Sequence, residues 1–416
     1  MFRALTVENF PPFGECRMDF EPVADKPADL AEVHLFTGVN GTGKTRLLAV
    51  LAAMLGGSEA LMKRVKDDAE AATLKATDAP HRLEPWFVAH LTSGNLSFAS
   101  PSQFNERFAN WCQQVPAFAY HGVAYVTDAN IEALAGVPRP KREACLSFFP
   151  TEKHSQPLLQ AIANLKLQAA MDSLNPENGK TKTRSTQIIQ TLESTMTEIT
   201  GQPFLFRVTA YPQPVLCVRW ANSDLSFDLL PDGLRSIIGS LVDAVVMFDA
   251  WIQGRGNILD MEAVFLLDEP ESHLHPVWQR RVLPAFQRLF PKAQIFVATH
   301  SPFVISSLNH GLIHRLVMDQ NGLVTAAPPQ QARAGDSYIS VLEEIMGLEE
   351  WYDPETEKLL ADFRAEREKA FQGDAAAKAK ALEMAQQLGN RSMELRYVMG
   401  RELNQMERRL GKPEGR

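Results

Sequence analysis

The chain has 416 residues, of which 45% are hydrophobic and 22% are charged, a balance that is typical of globular proteins and excludes a disordered or fibrous one. Its formal net charge of -8 excludes a global basic field, so any nucleic-acid surface must be a local patch. The four cysteines form no C-x-x-C pair, and we find neither a secretory leader nor an apolar stretch that could cross a bilayer, so we expect a cytoplasmic protein without zinc modules, disulfides or a membrane segment.

Strand, loop and helix signals follow one another at the start of the chain. Alternating apolar and polar side chains predict a strand over 2–10, and the apolar run 33–36 predicts a second, buried strand. A glycine-rich segment follows directly, and leucines at helical spacing then predict a helix over 45–55. This uninterrupted succession is the local structure that a phosphate-binding loop requires.

Residues 58–200 are less regular, and we predict a mainly helical insertion there. An Ala-, Lys- and Asp-rich stretch predicts a helix over 58–77, an apolar run covers 118–126, and a polar loop is expected at 175–186. These signals do not define one fold for the segment.

Strand signals return after residue 200. Two β-like runs, 204–211 and 215–220, precede a long apolar helix that begins near Asp232. The short apolar runs 263–267 and 295–298 are typical of parallel strands that are buried on both faces. The sequence therefore predicts an α/β core with a mainly parallel sheet.

The last part of the chain predicts a hairpin and then helices. The runs 312–318 and 323–326 are joined through Asn321-Gly322, a strong hairpin signal. Beyond Pro328-Pro329 the composition changes to helix-forming residues, and one apolar stripe follows a helical period. The stripe consists of Leu395, Met399, Leu403, Met406 and Leu410.

Residues 38–45 read Gly-Val-Asn-Gly-Thr-Gly-Lys-Thr and match the pattern G-x-x-x-x-G-K-[ST]. In such a loop backbone N–H groups surround the phosphates, Lys44 reaches the β- and γ-oxygens, and the Thr45 hydroxyl binds Mg²⁺. The other residues expected to contact the nucleotide are Asn40, Gly41, Thr42 and Gly43. The alternative, a glycine-rich turn that fits by chance, is disfavoured by the strand and helix on either side.

Two further strand ends carry polar groups that suit phosphate chemistry. The run 263–267 leads into Asp268-Glu269, where Asp268 can hold Mg²⁺ and Glu269 can act as general base on an attacking water. The run 295–298 leads to His300, whose neutral imidazole can hydrogen-bond a γ-phosphate and sense its loss. For His300, capping of a strand-to-helix turn is the alternative.

These three motifs together resemble the ABC-type ATPase heads of the SMC, RecF and OLD lineage. The run Asp-Glu-Pro-Glu-Ser-His-Leu-His-Pro at 268–276, followed by Ala-Thr-His-Ser-Pro at 298–302, is especially similar to stand-alone bacterial ATPases of the AAA class, many of which are components of anti-phage systems. The resemblance covers residues 1–50 and 200–325. It implies ATP and Mg²⁺ as ligands and ATP hydrolysis as the reaction.

The elements and the resemblance together predict an α/β P-loop NTPase of ABC-ATPase type, with an antiparallel β edge, a partly helical insertion and a helical C-terminal appendage. The ATPase core is expected in two parts, 1–57 and 201–326. The insertion at 58–200 separates them, and the appendage covers 327–416.

Heads of this lineage act as dimers in which a signature loop of one protomer closes over the ATP of the other. The best match is Leu230-Pro231-Asp232-Gly233-Leu234-Arg235, where Asp232 and Gly233 would contact the partner's nucleotide. Relatives usually have Ser at the position of Pro231, so one hydroxyl donor is missing, and the sequence leaves open whether hydrolysis is fast or nearly arrested. An ordinary Pro-Asp-Gly helix start is the alternative.

Two other assignments stay open at the level of sequence. The lineage links Mg²⁺ to a neighbouring domain through a glutamine, for which Gln103, Gln113 and Gln114 are equal candidates. His273 and His275 form an H-x-H pair that could bind a metal, although the lineage places an inter-protomer contact there.

The resemblance implies an ATP-dependent homodimer, or a higher homo-oligomer, that serves as sensor or regulatory subunit of an anti-phage system and controls a separate nuclease or toxin effector. The tail beyond Pro329 has no Asp-x-Asp cluster of the kind that a Toprim nuclease needs, which is why the effector is expected to be a separate protein.

A DNA-repair or SMC/RecF-like DNA-binding ATPase is the alternative. Two local basic groups favour it, 139–142 and the tail arginines Arg396, Arg401, Arg408 and Arg409, whereas prolines in the insertion disfavour a coiled-coil arm. A transporter subunit is disfavoured by Pro231.

Overall fold

The computed structural model describes residues 1–56, 72–77, 87–92, 95–98, 110–122, 126–129, 131–132, 136, 140, 145–146, 155–174, 183–209, 215–252, 256–348 and 350–410. The chain divides into two compact units, Met1–Met346 and Gly347–Arg416. None of the described helices combines the length and the apolarity that crossing a bilayer requires.

The described part of the first unit contains fifteen strands. They are β1 (Ala4–Phe10), β2 (Phe13–Asp19), β3 (Glu32–Thr37), β4 (Ala72–Thr77), β5 (Phe87–Thr92), β6 (Asn95–Phe98), β7 (Ala117–His121), β8 (Phe204–Thr209), β9 (Val215–Trp220), β10 (Ser223–Leu225), β11 (Ala263–Asp268), β12 (Ala293–Ala298), β13 (Leu312–Met318), β14 (Val324–Ala326) and β15 (Gln330–Gln331).

Helices cover both faces of the resulting sheet. The α-helices of this unit include α1 (Lys44–Met54), α2 (Ser155–Leu174), α3 (Arg184–Thr200), α4 (Asp232–Ile237), α5 (Asp243–Ile252), α6 (Pro276–Leu289), α7 (Pro302–Ser306) and α8 (Tyr338–Ser340). A π-helical turn, Ile238–Val242, joins α4 to α5, and a second one, Val341–Ile345, follows α8; short 3₁₀ turns lie at Phe227–Leu229 and Ile258–Asp260.

Twelve of the described strands form one sheet in the order β6-β5-β4-β1-β2-β14-β13-β3-β12-β11-β7, with β15 paired to β13. The strands β13, β3, β12, β11 and β7 run parallel to one another, whereas β1, β2, β4, β5 and β6 form an antiparallel edge. A separate antiparallel sheet contains β8, β9 and β10. Because parallel strands place their carboxyl ends at one edge, the loops after β3, β11, β12 and β7 all leave the sheet on the same side.

The central strands are buried on both faces, which is why they are continuous apolar runs. Every residue of β3, β11 and β12 is buried. Successive side chains alternate between two cores: Val264 and Leu266 pack with α1, whereas Phe265 and Leu267 pack with α2, α3, α5 and α6. The sheet is thus the middle layer of an α/β sandwich.

The predicted fold class is confirmed, and so are most individual elements. Residues 204–209 form β8 and residues 215–220 form β9, whereas 210–211 lie outside the described residues; the predicted hairpin forms β13 and β14.

The predicted insertion differs from expectation in one respect. The prediction of a helix over 58–77 is wrong for residues 72–77, which form β4 and pair with β1; the remainder of that prediction lies outside the described residues. Cross-strand pairing has overridden the local helix propensity of the segment. The described part of 58–200 contains β4–β7 beside α2 and α3, and the mainly helical character of the whole segment stays a prediction.

The second unit is a set of three helices with a core of its own. They are α9 (Pro354–Phe371), α10 (Ala375–Arg391) and α11 (Met393–Leu410). Asp353 and Asp374 cap α9 and α10, since their carboxylates accept hydrogen bonds from backbone N–H groups of the first turn. The predicted apolar stripe of α11 packs in this core, with Leu395, Met399 and Met406 buried. The C-terminal region is therefore helical, as predicted.

Candidate functional site

The loop between β3 and α1 folds around glycines that tolerate no side chain. Gly43 has a φ of 82°, and a Cβ atom there would meet the Phe13 ring at 2.8 Å. A Cβ on Gly38 would lie 2.5 Å from the Leu316 carbonyl oxygen. Contact with the β1–β2 hairpin and with β13 therefore holds the loop close to the sheet edge, where its N–H groups can approach a ligand.

Lys44 lies at the start of α1 with its ammonium group inside the loop. Nζ donates hydrogen bonds to the carbonyl oxygens of Gly38 at 2.8 Å and Val39 at 3.1 Å. Burial lowers the pKa of Lys44 to about 8, while the carboxylates of Glu269 and Asp268 oppose this shift. Since a pKa of about 8 lies above neutral pH, the side chain keeps its positive charge and can pair with phosphate oxygens.

Thr45 and Asp268 are brought together from positions far apart in the sequence. The Thr45 hydroxyl donates a hydrogen bond of 2.9 Å to Oδ1 of Asp268, and Asp268 is completely buried at the end of β11. A hydroxyl and a carboxylate are the oxygen ligands that Mg²⁺ takes from P-loop proteins. The donor set therefore fits a magnesium ion that arrives with a nucleotide.

A cavity of about 710 Å³ opens over the loop. It is lined by Asn40, Gly41, Gly43, Lys44, Thr45, Glu269 and His300 of the predicted site and by Pro11, Pro12, Arg46 and Gly322. Arg46 donates a hydrogen bond to the Pro11 carbonyl, so helix α1 and the β1–β2 turn form one wall. A cavity of this volume is of the size that binds small molecules and cofactors.

Glu269 and His300 face this cavity from two neighbouring strand ends. Glu269 adopts a left-handed backbone conformation with a φ of 50°, and its N–H donates to the Ala298 carbonyl at 2.8 Å. Burial and the nearby charge of Lys44 lower the pKa of His300, so its imidazole is neutral at pH 7. Strained backbone at a polar strand end is a frequent property of functional sites.

The structure adds Glu271, which the sequence analysis did not select. Its Oε1 accepts hydrogen bonds from the Thr299 hydroxyl at 2.5 Å and from the N–H groups of His300 at 3.0 Å and Ser301 at 3.2 Å. Burial raises the pKa of the Glu271 carboxyl. Glu271 thus fixes the backbone that carries His300. The available signal was a third acidic residue, two positions after Glu269.

The remaining predicted residues lie outside the cavity wall. The Thr42 side chain is buried beneath the loop, where its hydroxyl donates to the Val39 carbonyl at 2.9 Å. Gly233 is buried at the start of α4, where a Cβ atom would meet the His273 carbonyl at 2.9 Å; Asp232 is exposed and accepts a hydrogen bond from Arg235. Neither Asp232 nor Gly233 is among the described residues that line the cavity.

The structure also describes most residues of the two assignments left open above, the H-x-H pair and the candidate glutamines. His275 caps α6, since its Nδ1 accepts from the Val277 N–H at 3.3 Å, and within the described ranges no group of three or more His, Cys, Asp and Glu side chains could hold a metal by itself. Gln113 and Gln114 are exposed, and Gln103 falls outside the described residues.

At the end of β7 the structure instead brings His121 to Asp268, with Nε2 at 3.7 Å from Oδ2. The sequence analysis missed this histidine. Its only signal was its position as the first polar residue after the apolar run of β7.

Known families and proteins match parts of the chain. A family described as "AAA domain, putative AbiEii toxin, Type IV TA system" matches residues 240–306, which include Asp268, Glu269 and His300. The chain is 28% identical over 153 residues to the Septu protein PtuA of Bacillus thuringiensis, which covers 36% of this chain and 39% of that protein. It is 30% identical over 118 residues to the retron Ec83 probable ATPase of Escherichia coli, which covers 28% of this chain and 21% of that protein.

The matched region thus spans less than half the length of these two relatives. Among solved structures, the Smc head domain with an extended coiled coil, bound to the C-terminal domain of ScpA from Pyrococcus furiosus, aligns with 83% of this chain and 99% of its own at 12% identity and a TM-score of 0.45. The family match and the sequence relatives confirm the resemblance to ATPases of the AAA class: the chain is similar to an AAA domain, to a Septu protein and to a retron probable ATPase.

Proposed function

We propose that the chain is a cytoplasmic ATPase that binds and hydrolyses ATP as the sensor or regulatory subunit of a bacterial anti-phage defence system. The observation that carries the catalytic part is the hydrogen bond between Thr45 and Asp268 beneath the phosphate loop, with Glu269 and His300 on the wall of the same cavity. The sequence relatives, a Septu protein and a retron ATPase, support the biological part.

Each side chain of the site has a task in this proposal. Thr45 and Asp268 would hold Mg²⁺, which would supply positive charge to neutralise the charge that develops on the transferred phosphoryl group. Lys44 exchanges its loop carbonyls for the β- and γ-phosphate oxygens. Glu269 orients the attacking water and accepts its proton, and the neutral His300 hydrogen-bonds the γ-phosphate.

We further propose that two or more copies assemble through ATP. Asp232 and Gly233 lie outside the cavity of their own protomer, which suits a role at the nucleotide of a partner copy. Large apolar side chains are exposed at both surfaces that such a contact would join: Val39 in the phosphate loop is 63% exposed, and Leu229, just before α4, is 71% exposed. Exposed apolar side chains in these places favour burial in an interface.

The effector in this proposal is a separate nuclease or toxin that docks on the assembly. The helical C-terminal unit offers one surface for it, because Met393 and Tyr397 lie one turn apart on α11 and are 72% and 73% exposed. Aromatic and Met side chains are enriched at protein interfaces. Substitution of both by Ser is expected to release the effector without changing ATP turnover.

DNA binding is the second candidate function, and one observation favours it. Arg396, Arg401, Arg408 and Arg409 are all exposed on α11. Acidic side chains on the same helix, Glu394 and Glu402, reduce the net positive charge of this surface, so the defence function is the better supported one.

ATP binding and phosphate release with Mg²⁺ test the catalytic proposal. Lys44→Ala is expected to abolish nucleotide binding, whereas the control Lys358→Ala removes an exposed lysine of α9 and keeps both activities. A Lys44→Ala protein that binds and hydrolyses ATP like the wild type would contradict the assignment of the site.

Purification of a tagged Glu269→Gln protein from its native cells with ATP and Mg²⁺ tests the biological proposal. A nuclease or toxin in stoichiometric amount, absent from the Lys44→Ala preparation, supports the defence function. DNA together with repair proteins would favour the second candidate, and a protein that stays monomeric with ATP would refute the ATP-dependent assembly.

A further inference from the structure

His121 occupies a defined place beside the proposed cation site. Strand β7 runs parallel to β11, and His121 is the residue directly opposite Asp268 in their register. Residues in register point to the same face of a sheet, and both lie at its carboxyl edge. The imidazole and the carboxylate are therefore brought together by the sheet itself and not by a loop.

The two oxygens of Asp268 face different groups. Oδ1 accepts the hydrogen bond from the Thr45 hydroxyl at 2.9 Å, and Oδ2 lies 3.7 Å from Nε2 of His121. Ligands of one six-coordinate ion at about 2.1 Å lie about 3 to 4 Å from each other, so this separation is compatible with a shared cation. The His121 side chain is 20% exposed and that of Asp268 is 1% exposed.

The backbone behind His121 is held in place from two sides. Gly122 donates its N–H to the Asp268 carbonyl at 2.9 Å, and a Cβ atom on Gly122 would lie 1.9 Å from the Glu269 carbonyl oxygen. The Ser236 hydroxyl on α4 donates to the Gly122 carbonyl at 2.7 Å. A ligand on so fixed a backbone needs little reorganisation to bind an ion.

We propose that His121 supplies a nitrogen ligand to the divalent cation that Thr45 and Asp268 hold, and that it thereby favours Mn²⁺ and other transition ions over Mg²⁺. This inference rests on the proposed function. Mg²⁺ prefers oxygen ligands, whereas imidazole nitrogen suits first-row transition ions, so a nitrogen donor changes the relative affinity of the site for the two classes.

The test uses the full chain with Mn²⁺ and a non-hydrolysable ATP analogue, and it reads the metal directly by pulsed electron paramagnetic resonance. In protein labelled with ¹⁵N-histidine, the spectrum of the bound Mn²⁺ is expected to show coupling to a ¹⁵N nucleus. The coupling should disappear in His121→Gln and persist in His300→Ala, which removes the other histidine of the site. The wild-type spectrum decides whether any histidine binds the ion, and the two variants decide which histidine it is.

A second readout is the ratio of Mg²⁺ to Mn²⁺ dissociation constants. His121→Gln is expected to weaken Mn²⁺ binding about tenfold or more while Mg²⁺ binding changes little. Mn²⁺ bound with its nucleotide but without histidine coupling would overturn the inference and leave the proposed function intact. A wild-type chain that binds neither cation nor nucleotide would overturn both.

Discussion

Polar side chains have different surroundings at the two ends of the central strands. At the amino ends of β3 and β12, Glu32 accepts hydrogen bonds from Arg3 and from Gln294, and it lies 3.0 Å from His34. His34 in turn lies 3.2 Å from His314 of β13. These groups satisfy one another, and none of them lines the cavity over the phosphate loop.

At the carboxyl ends, Lys44, Thr45, Glu269 and His300 face a cavity of about 710 Å³. Their hydrogen bonds are made to groups that a ligand can replace, such as the loop carbonyls that Lys44 contacts. Function and stability can therefore be changed separately in this molecule. A change at the carboxyl ends should alter chemistry at little cost in stability, and a change at the amino ends should do the reverse.

The largest expected effect is on catalysis. Glu269→Gln should lower the rate of ATP hydrolysis about 10²- to 10⁴-fold, because an amide cannot accept the proton of the attacking water. Nucleotide binding and the free energy of unfolding should stay near their wild-type values. Phosphate release and nucleotide titration measure the two quantities, with Glu262→Gln as an exposed control. Unchanged hydrolysis would show that Glu269 is not the base.

The matching change at the amino ends is Glu32→Ala, which should lower the free energy of unfolding by about 3–5 kcal/mol. Arg3 and His34 would lose the carboxylate that holds them, and Gln294 would lose an acceptor. Urea unfolding measures the loss, and Glu15→Ala on the exposed side of β2 is the control. Folded protein should still bind ATP. A loss of ATP affinity with an unchanged free energy of unfolding would contradict the assignment of Glu32 to stability.

A smaller effect concerns pH. Burial lowers the pKa of His34 and holds that of His314 well below its usual range, so both are neutral in the folded protein. In the unfolded chain they take up protons below about pH 6.5, which destabilises the folded state as the pH falls.

The variant His314→Gln isolates this contribution. The stability of the wild type relative to the variant should fall by about 2 kcal/mol between pH 7 and pH 5, because only the wild type carries this titrating group. Chemical unfolding at the two pH values measures it. A relative stability that stays constant or rises on acidification would contradict the buried neutral pair.

The smallest effect on stability is expected from the hydrogen bond between α4 and Gly122, the residue after β7. Ser236→Ala removes the hydroxyl that donates to the buried Gly122 carbonyl and should lower the free energy of unfolding by about 1 kcal/mol. Ser223→Ala, at an exposed position of β10, should change it by less. Thermal unfolding resolves the two. A larger loss of ATP turnover than of stability would mean that this contact also positions the residues after β11.

Local signals were sufficient wherever one short segment carries both the structure and the chemistry. The phosphate loop is an example, since the strand, the glycines, Lys44 and Thr45 lie within a few residues of one another. The buried strands before Asp268 and His300 are another, because fully buried parallel strands are recognisable as continuous apolar runs. The helical character of the C-terminal unit follows from the helix-forming composition beyond Pro329 and from the stripe on α11.

Local signals failed where contacts with a distant part of the chain determine the structure or the role of a residue. The segment 72–77 has helix-forming composition, but β1 offers it a pairing edge and it becomes β4. Glu271 was passed over because its role depends on the backbone of His300 and Ser301, which arrive from the next strand.

By itself, the sequence determined that a phosphate loop, a pair of carboxylates and a histidine stand at the ends of buried strands, because each of these motifs is contiguous. Only the tertiary structure decided that Thr45 meets Asp268, that His121 lies beside the same carboxylate, and that Glu32, His34 and Gln294 form a closed polar network at the opposite edge. The physical reason is the strand order. Parallel pairing of β3, β12, β11 and β7 brings together side chains that are distant in sequence, and no local pattern records which strands become neighbours.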